Sequence, residues 1–159
     1  MPGYEGLHLP LTRCVHFVKT RESEDAQDTV VQAALEKGLT FVYWSYLESG
    51  SESVTIADPL GIALKLEHAP YGPSWVNGIS WVRFLDDLVT LAYRYKGLVI
   101  IIDHANVLLR ERPDDMFHLI EAFLTQFHHW YDQKKPCHLC LQMEENPSVR
   151  RLFVSDAEA

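Results

Sequence analysis

The chain has 159 residues, of which 47% are hydrophobic and 23% charged, enough for one domain with a full core and too apolar for wholesale disorder. Its formal charge of -8 repels nucleic acid and anionic membrane and draws basic partners. The three cysteines, Cys14, Cys137 and Cys140, are too few and odd in number for a disulfide framework. Arg13, His16 and Lys19 interrupt any signal-peptide core in the first twenty residues, and no apolar run approaches the ~20 residues that span a bilayer. The cytoplasm is the expected location.

In chain order, Leu11 to Lys19 alternates loosely and predicts a strand. Glu22 to Lys37 predicts a helix, with Glu22, Glu24 and Asp25 in its first turn, an apolar face of Val30, Val31, Ala34 and Leu35, and Gly38 as its stop. Leu39 to Leu47 is rich in aromatic and β-branched residues and predicts a second strand. A turn follows over Glu48 to Glu52, and Pro59 opens a short helix through Leu66. His68 to Gly78 holds two prolines and two glycines and is turn-rich.

Ile79 to Tyr95 predicts a long helix. Its apolar arc is Trp81, Leu85, Leu88 and Ala92, with Phe84 and Val89 at the margins. Arg83, Asp87, Thr90 and Arg94 fall opposite, so Asp87 is expected in solvent and Asp86 at the edge of the arc. Leu98 to Asp103 is a continuous apolar run and predicts a strand buried on both faces. Asp114 to Gln133 predicts a helix behind Pro113, with Phe117, Ile120, Leu124, Phe127 and Tyr131 at a helical period. Pro136 leads into a last strand, Cys137 to Met143, and Glu144 onward is polar. Strands separated by helices predict an α/β fold with a mostly parallel sheet in a single domain.

Several residues invite chemistry. The run Leu98 to Asp103 has the look of a strand presenting a metal-binding carboxylate in nucleotide-hydrolysing enzymes. That chemistry also needs a glycine-rich loop with a lysine, and no G-x-x-x-x-G-K-[ST] occurs in the chain. The alternative role for Asp103 is to cap the turn that follows it. Cys137 and Cys140 form a C-x-x-C, but on a strand residues three apart face opposite sides, which predicts inert, separated thiols. No nucleophile elbow is present, and neither metal nor cofactor is expected. A small hydrolase would need Asp103 or His104 joined to a nucleophile in space. Tyr71, Trp75, Asp86 and Asp87 combine aromatic anchors with carboxylates, a pattern suited to a basic protein partner.

From Leu39 to Met143 the chain resembles the barstar-like inhibitors of bacterial ribonucleases. The matching pieces are the strand TFVYW, Ala-Pro-Tyr71-Gly72, Trp75, Asp87-Leu88 inside the next helix, the strand ending at Asp103, the aromatic helix with Phe127 and Trp130, and the strand entered through Pro136. The resemblance implies a small, mostly parallel sheet packed with helices. It also implies a non-enzymatic immunity protein that occludes the active site of a basic toxin such as a ribonuclease. Departures stand at Val76 and Ser80, where the family's acids would fall, and residues 1–38 and 144–159 lie outside the resemblance. The competing reading is a degenerate nucleotide-binding or regulatory domain related to ATPase cores, with Asp103 as its remnant.

Overall fold

The computed structural model describes residues 15–19, 32, 35–49, 55–71 and 79–143. Four strands, β1 (Val15–Lys19), β2 (Thr40–Ser45), β3 (Leu98–Asp103) and β4 (Cys137–Met143), form one sheet. Its order is β1-β4-β3-β2 and every pairing is parallel. Parallel neighbours require crossovers, and helices supply them: α1 (Tyr46–Ser49), α2 (Ala57–Ala63), α3 (Ile79–Arg94), α4 (Ala105–Glu111) and α5 (Pro113–Asp132). The N-terminal strand joins this sheet at its edge beside β4.

β3 and β4 are the inner strands, and every residue of both is buried. Their alternation divides the core. Leu98, Ile100, Ile102, Leu139 and Leu141 face the larger cluster, built with Phe84, Leu88 and Leu91 of α3 and Leu119, Phe123 and Trp130 of α5. Val99, Ile101 and Cys140 form a smaller cluster with Phe41 on the other face. Each large aliphatic side chain so buried contributes about 1.5–3 kcal/mol relative to exposure. Cys137 and Cys140 fall in different clusters, as strand alternation requires, and burial pushes the Cys140 thiol pKa up.

Polar groups tie the helices to one another. Asp115, in the first turn of α5, accepts from the Trp81 indole at 3.0 Å, from the Thr55 hydroxyl at 3.2 Å and from the Ile56 amide at 3.2 Å. One carboxylate thus joins the starts of α2 and α5 to α3. Lys135 Nζ donates to the Ala92 carbonyl at 2.7 Å near the end of α3, where a cation suits the helix dipole. Gly38 adopts φ 75 and its amide donates to the Leu35 carbonyl, so a glycine does end the helical turn there.

Three expectations change. The buried stripe of α5 is Met116, Leu119, Ala122, Phe123, Gln126 and Trp130, while Phe117, Leu124 and Tyr131 are exposed. Helix α5 carries two adjacent apolar stripes, and its apolar period alone does not say which one meets the sheet. Leu35, expected on an inward face, is likewise exposed. Asp87, expected in solvent, is only 5% exposed, because the buried arc of α3 extends across Ser80, Phe84, Asp87 and Leu91.

Candidate functional site

Two polar groupings stand out. The first lies at the carboxyl ends of the strands, where open parallel sheets bind their ligands. Strand register sets Ser45 of β2 opposite Asp103 of β3. The Asp103 carboxylate accepts from three protein donors. Oδ1 takes the His104 amide at 2.8 Å and the Gln142 side-chain amide at 3.1 Å, and Oδ2 takes the Tyr43 hydroxyl. Burial and this carboxylate push the Tyr43 phenol pKa well up. His104, at φ 57, turns the chain from β3 into α4, and the Asp103 carboxylate caps that turn.

His104 does not complete a proton relay. Its Nδ1 lies 3.1 Å from Ser45 Oγ and 3.9 Å from Asp103 Oδ2. A serine–histidine–aspartate relay needs the hydroxyl and the carboxylate on opposite ring nitrogens. Here both address the same one. Among the described residues, no group of three or more His, Cys, Asp or Glu side chains could hold a metal ion.

The second grouping is a cavity of about 450 Å³ lined by His68, Pro70, Tyr71, Arg83, Asp86, Asp87 and Thr90. Asp87 organises it from α3. Its Oδ2 accepts from the Tyr71 hydroxyl and from the His68 amide, each at 3.0 Å, and its Oδ1 lies 2.6 Å from His68 Nδ1. Hydrogen bonding to Asp87, and then the charge of that carboxylate, raise the His68 pKa above 6.5. Burial, followed by the same carboxylate, pushes the Tyr71 phenol pKa well up. The backbone of Tyr71 is held from two sides, its amide donating to Asp58 at 2.8 Å and its carbonyl accepting from Arg83 at 3.2 Å.

Three of the residues singled out in the sequence therefore converge. Tyr71, Asp86 and Asp87 line one cavity, with Asp86 alone of the three exposed. Tyr71 is 7% exposed, and its hydroxyl is bonded within the domain. Trp75, like Gly72 and Val76, lies outside the described residues. Ser80, at the place of the resembled family's second helix acid, is buried. His68 and Arg83 complete the cavity, and sequence reasoning did not select them as site residues. His68 leaves no local signal, since its partner stands 19 residues away. Arg83 has a helical signal toward Asp87 at i,i+4, yet it turns to the Tyr71 carbonyl.

No protein-family model matches the chain, and no curated protein matches it. Among solved structures it is similar to the ORC2 protein of Aeropyrum pernix, solved in ADPNP-ADP complexes. The TM-score is 0.57 at 15% sequence identity, over 91% of this chain and 38% of that one. This chain therefore spans less than two fifths of that protein's length, and the likeness establishes the α/β fold.

Proposed function

We propose that this chain is a non-hydrolysing regulatory domain on an ATPase-like α/β core, acting by binding another protein. The observation that carries the reading is the state of Asp103. A carboxylate at the end of an inner parallel strand, in a fold shared with a nucleotide-complexed protein, is where a hydrated metal–nucleotide would be met. Both oxygens of Asp103 are engaged by protein donors, from Tyr43, Gln142 and the His104 amide. The sequence adds a second argument. No glycine occurs between Gly6 and Gly38, and Glu22, Glu24, Asp25 and Asp28 stand in the stretch after β1, where a phosphate cradle needs glycine amides and a lysine. Titration calorimetry with MgATP and MgADP tests this: no saturable heat is expected up to about 1 mM, and a Kd below about 100 μM overturns it.

A narrower reading, the inhibitor of a basic toxin such as a ribonuclease, is favoured by Asp86. This carboxylate is exposed at a cavity shared with Tyr71, on a chain of net charge -8. In this reading Asp86 steers a basic active site toward α3, while Asp87 holds Tyr71 and His68 in place. Recovery from host lysate of one stoichiometric basic protein, lost on Asp86→Lys, supports it. Binding that survives Asp86→Lys and is unchanged between low and high salt removes the electrostatic role.

A further inference from the structure

The cavity organised by Asp87 also carries charges that the domain does not use for itself. Both oxygens of Asp87 are taken, by the Tyr71 hydroxyl, the His68 amide and the His68 ring. Asp86 is exposed, and among the described residues its carboxylate has no hydrogen-bond or ion-pair partner. Arg83 stands three residues before it, a spacing that lets helical side chains meet. Its Nη1 donates instead to the Tyr71 carbonyl at 3.2 Å, so these two opposite charges stay unpaired in one cavity. The other guanidinium N–H groups are left for a ligand. His68 commits Nδ1 to Asp87 and keeps Nε2 free of it, on a side chain 69% exposed.

The lining therefore offers one unused carboxylate and two unused sets of N–H donors. With His68 protonated, its charge and that of Arg83 cancel those of Asp86 and Asp87, so the cavity as a whole favours neither a plain anion nor a plain cation. Nearby acids do not alter this balance at the lining: Glu67 is exposed outside it, and Asp58 accepts from the Tyr71 amide at 2.8 Å. Pro70 and the ring of Tyr71 add an apolar wall. A volume of about 450 Å³ is in the range of small-molecule sites and far exceeds a bare ion.

We propose that this cavity binds a free α-amino acid with an apolar side chain, its ammonium on Asp86 and its carboxylate on Arg83 and His68. A zwitterion satisfies both ends at once, and each charge-assisted hydrogen bond is stronger than a neutral one. Nothing in it depends on Asp103, so the nucleotide titration neither supports nor removes it.

The test uses the full chain at about pH 6, where His68 is protonated. L-phenylalanine and L-leucine are the probes, followed by NMR shifts of the His68 ring and the α3 amides. Saturable shifts with a Kd below about 1 mM are expected for at least one. Phenethylamine, which lacks the carboxylate, and hydrocinnamate, which lacks the ammonium, are expected to bind about tenfold more weakly than L-phenylalanine or not at all. Asp86→Asn, at an exposed position, is expected to weaken the amino acid about tenfold while leaving hydrocinnamate no weaker, a selectivity that general loosening of the fold would not give. Circular dichroism confirms that the variant is folded. No saturation by either amino acid up to about 10 mM overturns the proposal. So does binding indifferent to Asp86→Asn. Phenethylamine bound as tightly as L-phenylalanine also overturns it, and leaves Asp86 as a site for a partner's cation alone.

Discussion

The hydrogen bond from Tyr71 to Asp87 can be removed almost without changing volume, and the consequence is calculable. Tyr71→Phe deletes one hydroxyl that donates to a buried carboxylate oxygen at 3.0 Å. Oδ2 keeps the His68 amide at 3.0 Å, so the acceptor is not orphaned. The loss is that of one hydrogen bond to a charged group, about 1.5–3 kcal/mol. In a chain of this size it lowers Tm by about 3–12 °C. Asp87→Ala should cost more, on the order of 3 kcal/mol, since it strips the buried phenol of its acceptor. With that acceptor gone, Tyr71→Phe should become neutral or stabilising. The coupling between the two substitutions should then be about 1.5–3 kcal/mol. Urea unfolding of the four proteins, followed by tryptophan fluorescence at constant m-value, measures each number. Additive losses, or a Tyr71→Phe effect below about 0.5 kcal/mol, would refute the claim that Asp87 anchors the loop through this hydroxyl.

Two further outcomes follow from contacts. The His68 pKa is raised above 6.5 in the folded chain by its hydrogen bond to Asp87 and then by that carboxylate's charge. A group whose folded pKa exceeds its unfolded value stabilises fully below the unfolded value, and that contribution fades as pH rises through the folded one. NMR titration of the His68 ring should therefore give a midpoint above 6.5 that falls back in Asp87→Asn, and an unshifted midpoint in the parent would contradict the pairing. Gly97 packs between the turn before β2 and the turn before β4: a Cβ there would meet Leu39 Cδ2 at 2.5 Å and the Pro136 carbonyl oxygen at 3.1 Å. Gly97→Ala should lose about 1–3 kcal/mol in chemical denaturation, and an unchanged midpoint would mean that the close approach relaxes freely.

Much of the fold was legible from local signals. The apolar run Leu98 to Asp103 announced an inner strand because burial on both faces removes alternation. Gly38 marked a helix end, and Pro113 the start of α5. Strand alternation alone separated Cys137 from Cys140. The aromatic and acidic residues around the turn-rich segment brought Tyr71 and Asp87 forward together, with Asp87 expected in solvent, whereas both are buried and bonded to each other.

What the tertiary structure decided is which of several locally equivalent choices was taken. Helix α5 has two apolar stripes, and packing against α3, α4, β1 and β4 selected the one containing Trp130. On a helical projection Asp87 falls on the polar side of α3 with Arg83, Thr90 and Arg94, yet α2 and the segment after it close over that side and supply Tyr71 and His68 to satisfy it. Asp103 is surrounded by β2 and β4, whose Tyr43 and Gln142 stand 60 and 39 residues away. Periodicity and turn chemistry act over a few residues and are written in the sequence. The partner of a buried charge comes from wherever the chain returns, and that is settled when the sheet assembles.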